Sequence, residues 1–199
     1  MADRILLSHG AGSNRNAPLL VAVEAALSAA GVEAERIDLA FRRLRPGGPP
    51  RPGDAERDRA DLRALIEAKQ SPGDRVFLGG HSYGGRQSTI LASEFPGLIT
   101  GLLLLSYPLH PPRKPAELRT AHFPALRTPC LFIHGARDPF GSNEEMTAAI
   151  ARIPARTRIV EIPGAGHELS RRSGGLVEVA ERAAAEFESF FRAAYGKIL

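Results

Sequence analysis

One cysteine, no tryptophan, three lysines and few aromatic residues mark this 199-residue chain as much by what is scarce as by what is present. A lone Cys130 rules out an internal disulfide, so stability must come from an ordinary apolar core, in keeping with a reducing compartment. No apolar run approaches the ~20 residues of a membrane-crossing helix, and the start MADRILLSHGAG lacks the basic head, apolar stretch and small-residue cleavage pattern of a secretory leader. A cytoplasmic protein without a membrane partner is expected. The basic residues are almost all arginine and give a net charge of +4, but Asp and Glu are interleaved with them, as in RPGDAERDRADLRALIEAK. With aromatics at 6%, neither a basic stripe nor a base-stacking platform emerges, so nucleic acid is not expected as a partner.

The hydrophobic content of 43% suits a single globular domain over 1–199. Short apolar runs at 4–8, 35–39, 75–78, 102–106, 130–134 and 158–162 alternate with Ala-, Leu- and Glu-rich helical patterns at 17–30, 55–70, 84–94, 144–152 and 175–194. Such alternation predicts an α/β fold with about six mainly parallel strands flanked by helices. Two stretches break it: 42–54, dense in Pro and Gly, reads as an irregular surface loop, and 107–129, rich in proline, leaves no room for a large lid and reads as the substrate-facing segment.

Two motifs overlap on FLGGHSYGGRQS, residues 77–88, and a third candidate lies near the N-terminus. Gly80 and Gly85 have the separation of a phosphate loop, but Arg86 and Gln87 stand where that loop needs Lys and Ser or Thr. GAGSNR at 10–15 fails as a dinucleotide fingerprint, with Arg15 in place of the third glycine. G-x-S-x-G, from Gly80 to Gly84, fits its context. A serine on a tight strand-to-helix turn needs small neighbours because backbone passes close by, and the turn presents the Ser82 hydroxyl at the sheet's C-terminal rim beside a helix N-terminus.

A serine hydroxyl is a weak nucleophile without a base and an orienting acid. FIHGARDPFG places Asp138 after the fifth strand, and EIPGAGHEL places His167 after the sixth. The order Ser, Asp, His puts three matched groups on one rim, with Ser82 as nucleophile, His167 as general base and acid, and Asp138 as the carboxylate that fixes the imidazole. Backbone N–H groups of Tyr83 and of the SHGAGSN loop, Ala11 first and Gly12 as the alternative, are the expected oxyanion donors. Gly12, Tyr83, Leu109 and Phe140 are candidate walls of the substrate site. Cys130 reads as a core thiol, and the histidines have no metal-ligand spacing, so no metal or cofactor is expected.

Together HGAG, GHSYGG, HGARD and GAGHE resemble the α/β-hydrolase superfamily over essentially the whole chain. The small size and LLLLSYPLHPP are similar to its compact dienelactone-hydrolase-like branch, in particular the group of testis-expressed protein 30 and the hydrolase-like domain of the NSL-complex subunit. The resemblance implies a metal-free Ser-His-Asp mechanism, and the short 107–129 segment leaves an open site suited to a small or extended acyl substrate. It also equates residues 4–8 with the family's third strand, which would leave a sheet edge open to a homodimer. Ser82 stands where dienelactone hydrolases carry cysteine, so their lactone substrate does not transfer. Acyl transfer through the same triad, and a non-catalytic interaction module, are the competing readings.

Overall fold

The computed structural model describes residues 2–170 and 175–192. Six parallel strands, β1 (Asp3–Ser8), β2 (Glu33–Ile37), β3 (Arg75–His81), β4 (Gly101–Leu105), β5 (Cys130–Gly135) and β6 (Thr157–Ile162), form one sheet in the order β2-β1-β3-β4-β5-β6. The interior strands are buried on both faces, and their side chains divide strictly by parity. Ile5, Leu7, Phe77, Leu103, Leu105, Leu131 and Ile133 enter one core with α1 (Pro18–Ala29) and α6 (Leu176–Phe187). Leu6, Val76, Leu78, Leu102, Leu104, Cys130 and Phe132 enter the other, under α2 (Ala40–Leu44), α3 (Asp54–Lys69), α4 (Tyr83–Glu94) and α5 (Asn143–Ile150). Each fully buried Leu or Phe contributes about 1.5–3 kcal/mol, so both faces are held by apolar burial.

The chain runs outward from β1 to β2, then returns across β1 to β3, and the reversal opens a crevice between the C-terminal ends of β1 and β3. Serine and glycine from both strand ends meet there. Open edge β2 carries exposed Glu33 and Glu35, ion-paired to Arg4 and Lys69, while Arg36 pairs with Glu24. Charges of this kind discourage strand-to-strand pairing at an edge.

Several boundaries differ from the sequence expectation. The second strand lies two residues earlier than 35–39, because Leu39 is not a strand residue: its extended backbone opens the short helix α2, which occupies the start of the expected 42–54 loop. The segment 107–129 holds only a 3-10 turn, Phe123–Ala125, and it packs downward: Tyr107, Leu109, Phe123 and Leu126 are buried in the core under α4 and α5. The last helix passes into a π-helical turn, Glu188–Arg192. The expected end of that helix, 193–194, lies outside the described residues. Among the described residues no helix is long and apolar enough to cross a membrane.

Candidate active site

Ser82 sits at the junction of β3 and α4 with φ 51° and ψ −113°. A left-handed φ of this kind is costly for a non-glycine residue and persists only where the surroundings over-determine it. Here they do. The Ser82 N–H donates to Leu105 O (2.9 Å), its carbonyl accepts from Arg86 N–H (3.0 Å), and the next turn is tied to the β1 loop by Gly84 N–H to His9 O (3.1 Å). A Cβ at Gly80 would stand 2.6 Å from the Gly84 carbonyl carbon, and one at Gly84 would stand 2.7 Å from His9 O, so both positions of the motif are glycine because backbone fills the space a side chain needs.

Around this turn the three predicted residues converge. His167 Nε2 lies 2.8 Å from Ser82 Oγ, and Nδ1 lies 2.8 and 3.0 Å from the two oxygens of Asp138. The carboxylate is fully buried and also accepts the Phe140 N–H at 2.9 Å. An anionic Asp138 can only accept, so Nδ1 carries the proton and Nε2 presents a lone pair to the serine hydroxyl. This is the tautomer a general base requires. Ser82 and His167 remain partly open to solvent.

Neighbouring rings hold the imidazole. Phe140 stacks on His167 with centroids 4.2 Å apart, and His81 donates through Nε2 to the His167 carbonyl at 2.9 Å. Burial pushes the His81 imidazole below its ordinary range, which favours the neutral donor. Behind Asp138, fully buried His134 donates through Nε2 to Gly141 O (2.8 Å), while its Nδ1 has no hydrogen-bond partner and lies 3.9 Å from the carboxylate.

The expected oxyanion donors are free. Among the described residues the N–H groups of Ala11, Gly12 and Tyr83 donate to no protein acceptor, and open space surrounds Gly12. The substrate-wall expectations divide. The Tyr83 side chain is tethered toward α3: its hydroxyl donates to Asp58 (2.8 Å) and its ring meets Phe41 edge-on. Phe140 lies beside His167 and supports it as well as flanking the site. Leu109 is a correction. It is fully buried, packed against Gly141, and presents no surface to a substrate.

Sequence reasoning did not single out Asp58 or Arg42. Asp58, wholly buried on α3, accepts from Phe41 N–H and Tyr83 OH, and burial holds its carboxyl above the usual range. Arg42 binds backbone carbonyls of the β1 loop. Both look like members of solvated charged stretches, and no spacing in the sequence marks them. Cys130 is buried and its thiol is pushed up by desolvation, which makes it a poor nucleophile. Among the described residues no three His, Cys, Asp or Glu side chains group as a metal-ligand set.

Comparison with known proteins gives the same frame. The profile of an alpha/beta hydrolase domain family matches residues 1–191. A dienelactone hydrolase from Anabaena variabilis is 25% identical, with a TM-score of 0.75 over 96% of this chain and 88% of its own. A hydrolase of the alpha/beta superfamily from Xanthomonas campestris pv. campestris is 26% identical, with a TM-score of 0.63 over 94% and 98% of the two chains. Est1E from Butyrivibrio proteoclasticus, solved with ferulic acid bound, shares the fold at 18% identity, with a TM-score of 0.76 over 96% of this chain and 90% of its own.

Proposed function

Because the chain belongs to the alpha/beta hydrolase domain family, we propose that it is a serine hydrolase that cleaves a carboxylic ester, thioester or related acyl bond through an acyl-enzyme. The continuous hydrogen-bonded line from Ser82 Oγ through His167 to buried Asp138 carries the reading. His167 Nε2 takes the hydroxyl proton as Ser82 Oγ attacks the acyl carbon. Asp138 stabilises the imidazolium, and the N–H groups of Tyr83 and of the β1 loop, Ala11 with Gly12 beside it, receive the developing oxyanion. The imidazolium then gives its proton to the leaving oxygen or sulfur. Water, deprotonated by the same nitrogen, releases the acid and restores Ser82.

Among the described residues no lid covers the rim, and the segment after β4 is packed into the core. Small or extended acyl substrates suit such a site better than deeply enclosed lipids. The test is fluorophosphonate labelling with turnover of short-chain p-nitrophenyl esters by wild type, Ser82→Ala and His167→Ala. Labelling confined to Ser82, with turnover lost about 10⁴-fold or more in both folded variants, is the expected outcome. A folded wild type that neither labels nor shows an acyl burst refutes catalysis and favours the interaction module.

A further inference from the structure

Arg42 is the charge least explained by its surroundings. Its side chain is buried, with the residue only 7% exposed, and among the described residues its guanidinium pairs with no carboxylate. Every hydrogen-bond acceptor it has is a backbone carbonyl: Ser13 O at 2.7 Å from Nε, Ala11 O at 2.9 Å and Gly48 O at 3.1 Å from Nη2, and Arg45 O at 3.4 Å from Nη1. The guanidinium also lies over the face of the Phe41 ring, 4.9 Å from its centroid. Burying an unpaired charge is expensive, and an apolar residue of similar volume would fill the space at lower cost. What an apolar residue lacks is the flat fork of donors that can hold carbonyls from two loops at once.

Those carbonyls bear on the site because of peptide geometry. In a trans peptide the C=O and the following N–H point in opposite directions. Gly10 O is held by Ser13 N–H (3.1 Å) and by His9 Nδ1 (2.8 Å), which fixes the direction of Ala11 N–H. Ala11 O is held by Arg42, which fixes the direction of Gly12 N–H. Both N–H groups are left without an acceptor. We infer that Arg42 is the positioning residue of the oxyanion loop, clamping the Ala11 and Ser13 carbonyls so that unpaired N–H groups stay aimed before substrate arrives. The cation also polarises the peptide it grips and strengthens Gly12 N–H as a donor. The clamp rests on the hydrolase reading above and adds to it a side chain that acts on the transition state without touching it.

The alternative, that Arg42 only folds the 45–53 loop, has its own control. Arg45 and the Arg51 N–H both engage Asp54 at the end of that loop and, among the described residues, have no hydrogen bond or ion pair to residues 9–13. The experiment compares Arg42→Met, Arg42→Lys and Arg45→Gln in kcat and KM on a short-chain p-nitrophenyl ester, and in inhibition by an alkyl boronic acid, whose adduct with the serine is a tetrahedral anion. For Arg42→Met, kcat is expected to fall about 10–100-fold with KM within about threefold, and boronate affinity to fall by the same factor as kcat/KM. Arg42→Lys, which keeps the charge and loses the fork, recovers only part. Arg45→Gln stays within about threefold of wild type. Wild-type kinetics in Arg42→Met, or an equal loss in Arg45→Gln, overturns the clamp. Should Arg42→Met fail to fold, backbone ¹⁵N relaxation of the wild type decides: order parameters of about 0.85 at Ala11 and Gly12 support the clamp, and values below about 0.6 overturn it. A wild type without turnover or labelling sinks the hydrolase reading instead, and the same order parameters still report whether the loop is held.

Discussion

Replacing Gly84 by alanine separates two effects of opposite sign. In the first turn of α4, helix propensity alone favours alanine by at most about 1 kcal/mol. The added Cβ, however, would stand 2.7 Å from His9 O and 2.9 Å from the Ser8 carbonyl carbon, with Ser8 Oγ nearer still. These separations are half an ångström or more, roughly, below ordinary van der Waals contact, and backbone atoms cannot rotate away. Overpacking of this kind costs about 1–3 kcal/mol, so the clash wins and the expected loss of about 1–2 kcal/mol lowers Tm by about 2–8 °C. The strain is relieved by pushing the start of α4 away from the β1 loop, along the Gly84 N–H to His9 O bond that sets Tyr83 against Ala11. Misplacement approaching 1 Å costs up to about 100-fold in rate, so kcat/KM should fall about 10–100-fold. Gly79→Ala is the matched control: its Cβ would meet Leu7 Cδ2 at 2.5 Å and Ile5 Cδ1 at 3.2 Å, both ends of flexible side chains. It should keep kcat/KM within about threefold. Ester hydrolysis and thermal melts of the two variants decide the matter. Equal activity losses, or a fully active Gly84→Ala, would refute the claim that backbone contact at the turn sets the oxyanion geometry.

Asp138→Asn keeps the shape of the side chain and an acceptor for the Phe140 N–H, but its NH₂ group faces His167 Nδ1 and selects the tautomer with the proton on Nε2. Saturating kcat should fall roughly 10³–10⁴-fold with the urea midpoint nearly unchanged; activity within tenfold of wild type would show that the triad is not in use. His9, His81 and His122 are all held below the ordinary histidine range, chiefly by burial, with His122 lowered to about 4. The unfolded chain takes up these protons near pH 6.5, where the folded protein does not. Their contribution to stability is therefore complete above pH 6.5 and is lost as pH falls toward 4. Asp58, raised by burial, has the opposite sign: its contribution is complete below about pH 3.9 and is lost as pH rises through its folded value. Urea midpoints at pH 7 and 5 should drop for wild type and drop less for His122→Gln, which can still reach Thr89 Oγ1; an equal drop would remove His122 from the account.

The parallel sheet and the convergence of Ser82, Asp138 and His167 were legible for the same reason. Strands buried on both faces read as short apolar runs, and loops at their C-terminal ends must hold whatever chemistry the rim carries, so Ser82, Asp138 and His167 could be placed by strand number alone. β2 was less legible because it is an edge strand: EAERI is mostly charged, and the apolar pair Leu39 and Ala40 beyond it belongs to the entry of α2. A five-residue helix is too short to show a period. Leu109 was misjudged because an apolar residue beside prolines after β4 resembles a pocket wall, while its contact with Gly141 exists only in three dimensions. Arg42 could not be found at all, since an arginine that binds four carbonyls has no partner to match in the sequence.

Strain in the backbone bears on the choice between enzyme and interaction module. Four described non-glycine residues have positive φ: Ser82, Ser106, Arg113 and Leu169. Ser82 follows β3, Ser106 follows β4, and Leu169 lies two residues beyond His167 after β6, so three of the four are on the rim that carries Ser82 and His167. Each such residue costs about 1–3 kcal/mol, a substantial share of a stability that is typically about 5–15 kcal/mol. Ser82 and Ser106 are held there by N–H bonds to Leu105 O and Ile133 O, both 2.9 Å, so the next strand in the sheet enforces each kink. A surface used only for docking gains nothing from a hydroxyl forced into that conformation, since an unstrained turn with glycine at position 82 would serve equally well. The cost is understandable if the hydroxyl at Ser82 must meet His167 Nε2 with the Tyr83 N–H free beside it. Backbone strain at Ser82 therefore adds weight to the proposed catalysis, beside the contacts of the three side chains.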